Sequence, residues 1–294
     1  MSAPDGLLVV DKPAGWTSHD VVARSRRLAG TRKVGHAGTL DPMATGVLVL
    51  GVGRGTRLLG HLALSTKAYV ATMRLGQSTV TDDAEGDLLG EHDASGVTDP
   101  AITATVRELV GDLLQTPSSV SAIKVDGQRA YKRVRAGDEV RLAPRPVRVT
   151  RFDVLAVRRR GGFVDVDVDV ECSTGTYVRA LARDVGDRLG VGGHLTALRR
   201  TRVGPYPLES AFGLESLSDR VAEELPVVPL VQAAHDNFAT HVLSDDQVVA
   251  VRNGRAVTTD LGATGPVAVF DAGGEFLALY EHKGEIAKAV AVFV

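Results

Sequence analysis

Phe163-Val-Asp-Val-Asp-Val-Asp-Val-Glu171 is the stretch on which the fold reading turns. Val164, Val166, Val168 and Val170 fall on one face of an extended chain, with Asp165, Asp167, Asp169 and Glu171 on the other. Successive side chains of a strand point to opposite faces, so this period of two predicts a strand with one buried and one solvated side. A glycine turn at Gly175 follows, and residues 176–189 read as a helix. Working upstream, residues 67–75 alternate like a second half-exposed strand, and residues 77–99 read as a long acidic loop. Residues 46–52 and 7–10 are short apolar runs that read as buried strands. Between them, Thr17 with Asp20 three residues on marks a helix start and Gly30 its stop.

Downstream, acids and two prolines, Pro226 and Pro229, gather in residues 217–237 and mark a boundary. Beyond it Ser244 and Gln247 form a capping box for a short helix that stops at Asn253-Gly254. Short apolar runs at 256–258, 267–270, 276–280 and 287–294 follow, separated by glycines. Four short strands in such a tail predict a small β-barrel module.

Composition sets the class. The 294 residues are 44% hydrophobic and 24% charged, the make-up of a globular chain of about two domains. No apolar run is long enough to span a membrane as a helix, and the first residues lack the pattern of a secretory signal. The single cysteine, Cys172, can form no intramolecular disulfide and reads as a small buried side chain. These features predict a cytoplasmic protein.

Net charge is −2, which alone argues against a nucleic-acid partner, but the charges are segregated. Residues 21–60 hold seven Arg or Lys and one acid, Asp41, and residues 121–160 hold twelve basic residues against four acidic. Nine acids gather in residues 82–112 and eight in 209–246, each with a single Arg. Such segregation either leaves one positive face suited to phosphates or reflects separate solvated faces.

Three stretches carry candidate chemistry. In His36-Ala-Gly-Thr-Leu-Asp-Pro42, Leu-Asp-Pro by itself is a turn, because Pro pushes the preceding residue into an extended conformation. However, Asp41 is flanked by glycines at 35, 38 and 46 and is the lone acid among cations that would keep it ionised. Gly51-Val-Gly-Arg-Gly-Thr-Arg57 follows an apolar strand and mimics a dinucleotide fingerprint, yet Thr56 replaces the third glycine. It reads as a tight turn into a helix that could touch RNA phosphate, with nucleotide binding as the competing reading. In Cys172-Ser-Thr-Gly-Thr-Tyr-Val-Arg179, an Arg at a helix start opposes the macrodipole. Arg179 therefore serves either a specific carboxylate or phosphate, or is a plain surface charge. Histidines are scattered without zinc-site spacing, and no serine-hydrolase elbow or Walker loop occurs, so the chain offers no metal motif.

The ordered set of motifs is more specific than its parts. Gly6-Leu-Leu-Val-Val-Asp-Lys-Pro-Ala-Gly-Trp-Thr-Ser18 and Val34-Gly-His-Ala-Gly-Thr-Leu-Asp-Pro-Met-Ala-Thr-Gly46 resemble the opening of the TruB family of tRNA pseudouridine synthases. Lys67-Ala-Tyr69, Thr81-Asp-Asp-Ala-Glu-Gly86, Gln115-Thr-Pro117, Ser121-Ala-Ile-Lys-Val-Asp-Gly127 with Tyr131, Gly175-Thr-Tyr-Val-Arg179 and Leu195-Thr-Ala-Leu-Arg-Arg200 continue the resemblance in order, over residues 6–207.

That resemblance implies isomerisation of uridine 55 in the tRNA T-arm to pseudouridine, without cofactor or metal. It implies Asp41 as nucleophile or base, Arg179 as its ion-pair partner, and Tyr69 stacked on the target base. Tyr177 and Leu198 would shape the base pocket, and His36 would occupy space near a uridine flipped out of its stack. Lys12, Lys67, Lys124, Arg129, Tyr131, Arg199 and Arg200 complete the expected RNA-binding set. The implied fold is α+β, a catalytic domain of residues 1–220 around a mixed, largely antiparallel sheet, with a basic RNA-embracing segment at 120–150. A linker at 221–236 and a β-barrel resembling a PUA domain at 237–294 would follow. Ser118-Ser-Val120 departs from the proline and tyrosine the family often carries there, which bears on pocket detail. The expected partner is tRNA alone, bound by a monomer with no obligate protein partner. The competing readings are an RNA chaperone of the same fold and a nucleotide-cofactor enzyme using the glycine-rich turn.

Overall fold

The computed structural model describes residues 3–63, 65–119, 142–284 and 286–294, together with the backbone of two short strands at 124–125 and 128–129. By contacts the chain divides into two compact units. Residues 1–41, 47–64 and 204–294 form the first, and residues 42–46 and 65–203 form the second.

The first unit begins with β1 (Gly6–Lys12), α1 (Ser18–Leu28), β2 (Val34–Ala37) and β3 (Thr45–Val52), whose first two residues belong to the second unit. The expected capping box is present: Thr17 accepts from the Asp20 amide, and the Asp20 carboxylate accepts from the Thr17 amide. Gly30 follows the helix cap Ala29 with φ +61°, the left-handed conformation that glycine adopts without a Cβ clash. β2, which the sequence did not announce, pairs antiparallel with β3. A core of Leu8, Val10, Val21, Val22, Leu48 and Leu50 lies among these elements and is joined by Leu214 and Leu217.

The second unit is built on β4 (Lys67–Leu75), the hairpin β5 (Gln77–Thr79) and β6 (Leu88–Glu91), α3 (Asp99–Glu108; α2 is the short turn Leu59–Leu62 of the first unit) and β7 (Gly111–Gln115). The short pair β8 (Lys124–Val125) and β9 (Gln128–Arg129) precedes β10 (Arg145–Arg160) and β11 (Phe163–Cys172). α4 (Val178–Arg188) and β12 (Gly193–Val203) complete it. The acidic loop expected at 77–99 is thus in part a hairpin, with Gln77 opposite Glu91. Strand order runs β12-β4-β11-β10-β7, all antiparallel. The start of β3 adds a parallel pairing, Thr45 with Arg199 and Gly46 with Arg200, so the sheet is mixed. Gly46 is required there: its φ is +99°, and a Cβ would sit 2.2 Å from the Arg200 carbonyl oxygen.

β11 follows its sequence pattern. Val164, Val166, Val168 and Val170 are all at 0% exposure, and each fully buried valine contributes roughly 1.5–3 kcal/mol relative to exposure. The acidic face meets arginines from neighbouring strands. Arg74 forks onto Asp165 at 2.8 and 2.9 Å, Arg151 reaches Asp169 at 2.8 Å, and Arg202 reaches Glu171 at 2.7 Å. Arg158 pairs with Asp167 at 2.7 Å and Arg159 with Asp99 at 2.5 Å. Much of the positive charge at 145–160 is therefore matched by acids of β11 and α3 rather than left as one positive face.

The rest of the first unit comprises β13 (Tyr206–Pro207), β14 (Phe212–Gly213), α5 (Leu214–Ser218), β15 (Val228–Pro229) and α6 (Leu230–Asn237). β16 (Ala239–Val242), α7 (Asp245–Arg252), β17 (Val267–Phe270), β18 (Phe276–Lys283) and β19 (Ile286–Val292) form the tail. The Ser244–Gln247 capping box starts α7 as expected. The four tail strands form a sheet in the order β16-β17-β18-β19 over a core including Val251, Val267, Leu277 and Tyr280. Among the described residues no pairing of β16 with β19 closes that sheet into a barrel. No helix among them is long and apolar enough to cross a membrane.

Candidate active site

Asp41 ends the first unit. The residue before it is clamped by the start of α1: buried Ser18 donates its hydroxyl to the Leu40 carbonyl at 3.0 Å and accepts from the Leu40 amide at 2.9 Å. This reciprocal pair, with Gly38 at φ +84°, fixes the path of the chain into the half-buried Asp41. The capping box that orients α1 thus also sets where Ser18 points. His36 lies on β2 opposite Leu50, with the ring of His19 edge-on at 5.5 Å. Lys12, at 0% exposure, donates to the carbonyls of Pro13 at 2.9 Å and Trp16 at 2.6 Å, closing the turn before α1.

In the second unit, β4 and β12 set several expected residues side by side. Tyr69 is opposite Arg200, and Ala71 opposite Leu198, in the antiparallel register. Residues two apart share a face, so Tyr69, Leu198 and Arg200 lie together, all buried, while Arg199 takes the other face and donates to Thr45 Oγ1 at 3.1 Å. Lys67 is buried and donates to the Ser65 carbonyl at 2.9 Å. Burial, helped by the charge of Arg200, pushes its ammonium down to about 8.

The start of α4 is held from outside the helix. Gln115 donates to the Tyr177 carbonyl at 3.1 Å and accepts from the Tyr177 amide at 2.8 Å. Two residues on, Arg179 is 4% exposed. It donates to the Thr81 carbonyl at 2.8 Å and lies 3.4 Å from an Asp83 carboxylate oxygen, itself on a nearly buried side chain. Asp83 also accepts from the Thr81 hydroxyl at 2.5 Å and the Glu85 amide at 3.0 Å. The surface-charge reading of Arg179 therefore fails, and a carboxylate beside this early helical position offsets its clash with the dipole. The sequence reading gave no role to Asp83, Ser18 or Gln115, although all three lie in the motifs it quotes. Lys124 and Arg129 are described only as backbone of β8 and β9, and Tyr131 lies outside the described residues.

The glycine-rich turn has a different use. Residues Gly53–Leu58 form a 3-10 helix, and a Cβ on Gly55 would meet the Gly6 carbonyl oxygen at 2.0 Å. Its glycine admits a neighbouring strand rather than a pyrophosphate. Arg54 binds Asp5 and the Phe293 carbonyl, and Arg57 the Val292 carbonyl, so both arginines fasten the C-terminal strand. Burial raises the Cys172 thiol to about 11, which keeps it protonated at neutral pH. Among the described residues no cluster of three or more His, Cys, Asp or Glu could hold a metal ion.

Known proteins match this chain along its length. Residues 26–178 match the model of the TruB family pseudouridylate synthase N-terminal domain. Residues 179–230 match the tRNA pseudouridylate synthase B C-terminal domain, and 238–294 the C-terminal model of tRNA pseudouridine synthase II. A protein named tRNA pseudouridine synthase B from Arthrobacter sp. (strain FB24) is 57% identical over 298 residues, covering 98% of this chain and 96% of that protein. One of the same name from Rhodococcus jostii (strain RHA1) is 59% identical over 288 residues, covering 98% and 93%. Among solved structures, a chain of a Cbf5-Nop10-Gar1 complex superposes with a TM-score of 0.75 at 28% identity, covering 98% of this chain and 85% of that one. With this fold and these matches, the chain belongs to the TruB family of pseudouridine synthases.

Proposed function

We propose that this protein converts uridine 55 in the T-arm of tRNA to pseudouridine. The observation that carries the reading is agreement over 98% of the chain, at 57% identity, with a protein named tRNA pseudouridine synthase B. The reaction is an isomerisation. The bond from C1′ to N1 of the uracil breaks, the ring turns, and a bond from C1′ to C5 forms. C5 loses its proton and N1 gains one, so no oxidant or reductant is consumed. Asp41 acts as nucleophile or base on the sugar or the base, and Arg179 pairs with it and holds it ionised. Tyr69 stacks on the flipped base, with Tyr177 and Leu198 shaping its pocket and His36 near the space the base leaves. The clamp of Ser18 on Leu40 and the buried setting of Arg179 support this, because such chemistry needs groups held on rigid elements. Arg199 and the segment around Lys124, Arg129 and Tyr131 serve the RNA, whose folded shape is recognised more than its sequence. The buried Lys12, Lys67 and Arg200 serve it indirectly, by holding their own segments in place. The tail acts as a PUA-like RNA-binding module, and the protein works in the cytoplasm as a monomer.

The test is incubation of the purified protein with T-arm RNA in excess chelator and without cofactor, followed by detection of pseudouridine. Absence of product would sink the reading. Asp41→Asn is expected to abolish turnover while RNA affinity stays within about three-fold, since binding rests on many contacts and the chemistry on one carboxylate.

A further inference from the structure

α4 grips the 81–83 segment at two successive turns. Arg179 and Arg183 are four residues apart and so share a helix face. Arg179 takes the Thr81 carbonyl and the Asp83 carboxylate, while Arg183 takes Asp82 between them, at 3.1 Å. The guanidinium of Arg183 also donates to the Thr116 carbonyl at 2.7 Å and to the Asp184 carboxylate at 3.0 and 2.7 Å. It is thereby fixed from three sides.

Asp82 is the residue that needs holding. Its φ is +58°, the only left-handed non-glycine conformation among the described residues. An L side chain is strained there and persists only where its surroundings over-determine it. Here the Asp82 amide donates to the Thr79 carbonyl at 3.3 Å and its carbonyl accepts from the Leu195 amide at 3.0 Å. The side chain is held by Arg183, at 13% and 23% exposure respectively. This left-handed step lets residues 81 and 83 face the same guanidinium.

We propose that Arg183 is a positioning residue for the reaction. Through Asp82 it holds the 81–83 backbone in the conformation that seats Arg179. The inference rests on the proposed pseudouridine synthase activity but not on which uridine is converted. Arg183 and Asp82 also line a cavity of about 460 Å³ with Thr116 and Ser119, so direct contact of Arg183 with RNA is the rival role.

Single-turnover rates and RNA dissociation constants of the full chain separate the two. Arg183→Gln is expected to slow pseudouridine formation about ten-fold with the dissociation constant within about two-fold, the mark of lost positioning rather than lost binding. Glycine adopts φ +58° without strain, so Asp82→Gly in the Arg183→Gln background is expected to recover the rate to within about three-fold of wild type. Rates are compared per folded molecule, because deleting the partner would also restore stability to a pair that merely holds the fold together. Should Arg183→Gln fail to fold, Arg183→Lys replaces it. Lysine lacks the planar fork whose two terminal nitrogens reach Asp82 and the Thr116 carbonyl separately, and the same rescue is expected. The proposal is overturned if the first variant keeps its rate within two-fold, if only its RNA affinity falls, or if Asp82→Gly brings no recovery. If wild type converts another tRNA uridine but not that of the T-arm, the proposed specificity fails, and the comparison is made on the uridine it does convert.

Discussion

Two arginine-bearing segments, the turn Gly51–Arg57 and the start of α4, look alike in sequence and do different work. Each places arginine near glycine and an apolar run, and each was a candidate for binding phosphate. In the turn, Arg54 is 51% exposed and binds a main-chain carbonyl and the partly exposed Asp5. At α4, the side chains of Arg179 and Asp83 are 5% and 4% exposed. Burying an ion pair costs desolvation that its mutual attraction barely repays, and apolar residues of similar volume would often stabilise as well. A buried pair therefore calls for a reason beyond stability, whereas an exposed arginine on a carbonyl is sufficiently explained as a fastener. Burial rather than motif separates the two, and burial was the quantity the sequence could not supply.

The sharpest way to break this contrast is Arg179→Lys. Lysine keeps the charge but loses the planar fork that reaches the Thr81 carbonyl and a carboxylate together. A fall of at least about 100-fold in single-turnover rate is expected, corresponding to about 2.7 kcal/mol of lost transition-state stabilisation. A variant with near-normal rates would make Arg179 as structural as Arg54.

The converse test is the pair Arg54→Ala and Arg57→Ala, combined in one chain. Removing their bonds to the Phe293 and Val292 carbonyls is expected to cost about 1–2 kcal/mol in denaturant unfolding and to speed proteolytic trimming at the C-terminus. The rate of pseudouridine formation per folded molecule is expected to stay within about two-fold. A large loss of rate or RNA affinity with unchanged stability would return the turn to the phosphate-binding reading.

What the sequence disclosed follows the same division between local and distant causes. The β11 alternation, the Thr17–Asp20 box and the Ser244–Gln247 box are written within a few residues, and the structure has each. The hairpin β5–β6 was hidden because Leu88 and Leu89 are both exposed, so no alternation marks β6. β10 was hidden because its end runs Arg158-Arg159-Arg160, and the partners of the first two lie on β11 and at Asp99. At the site, Asp41 and Arg179 stood out because each is odd in its local setting. Arg183 did not, since a cation on a helix reads as a solvated face. The partner that gives it meaning, Asp82, is 101 residues away, and its left-handed backbone has no sequence mark.

The smallest effect concerns a third buried cation, Lys67, and separates a side chain that can shed its proton from arginine, which cannot. Burial and the neighbouring Arg200 hold its ammonium at about 8, against 10.5 for the free side chain. Below pH 8 the folded and unfolded chains both carry this proton, so the full penalty of burying the charge is present. Between pH 8 and 10.5 the unfolded chain binds more protons than the folded one, so stability rises with pH through that window. Lys67→Met removes the titration. Wild type is therefore expected to gain on the variant as the pH is raised from 7 to 8.5, by under about 1 kcal/mol. Chemical denaturation of both proteins at the two pH values measures it. A stability difference that is flat with pH, or that moves against wild type, would refute the lowered ammonium.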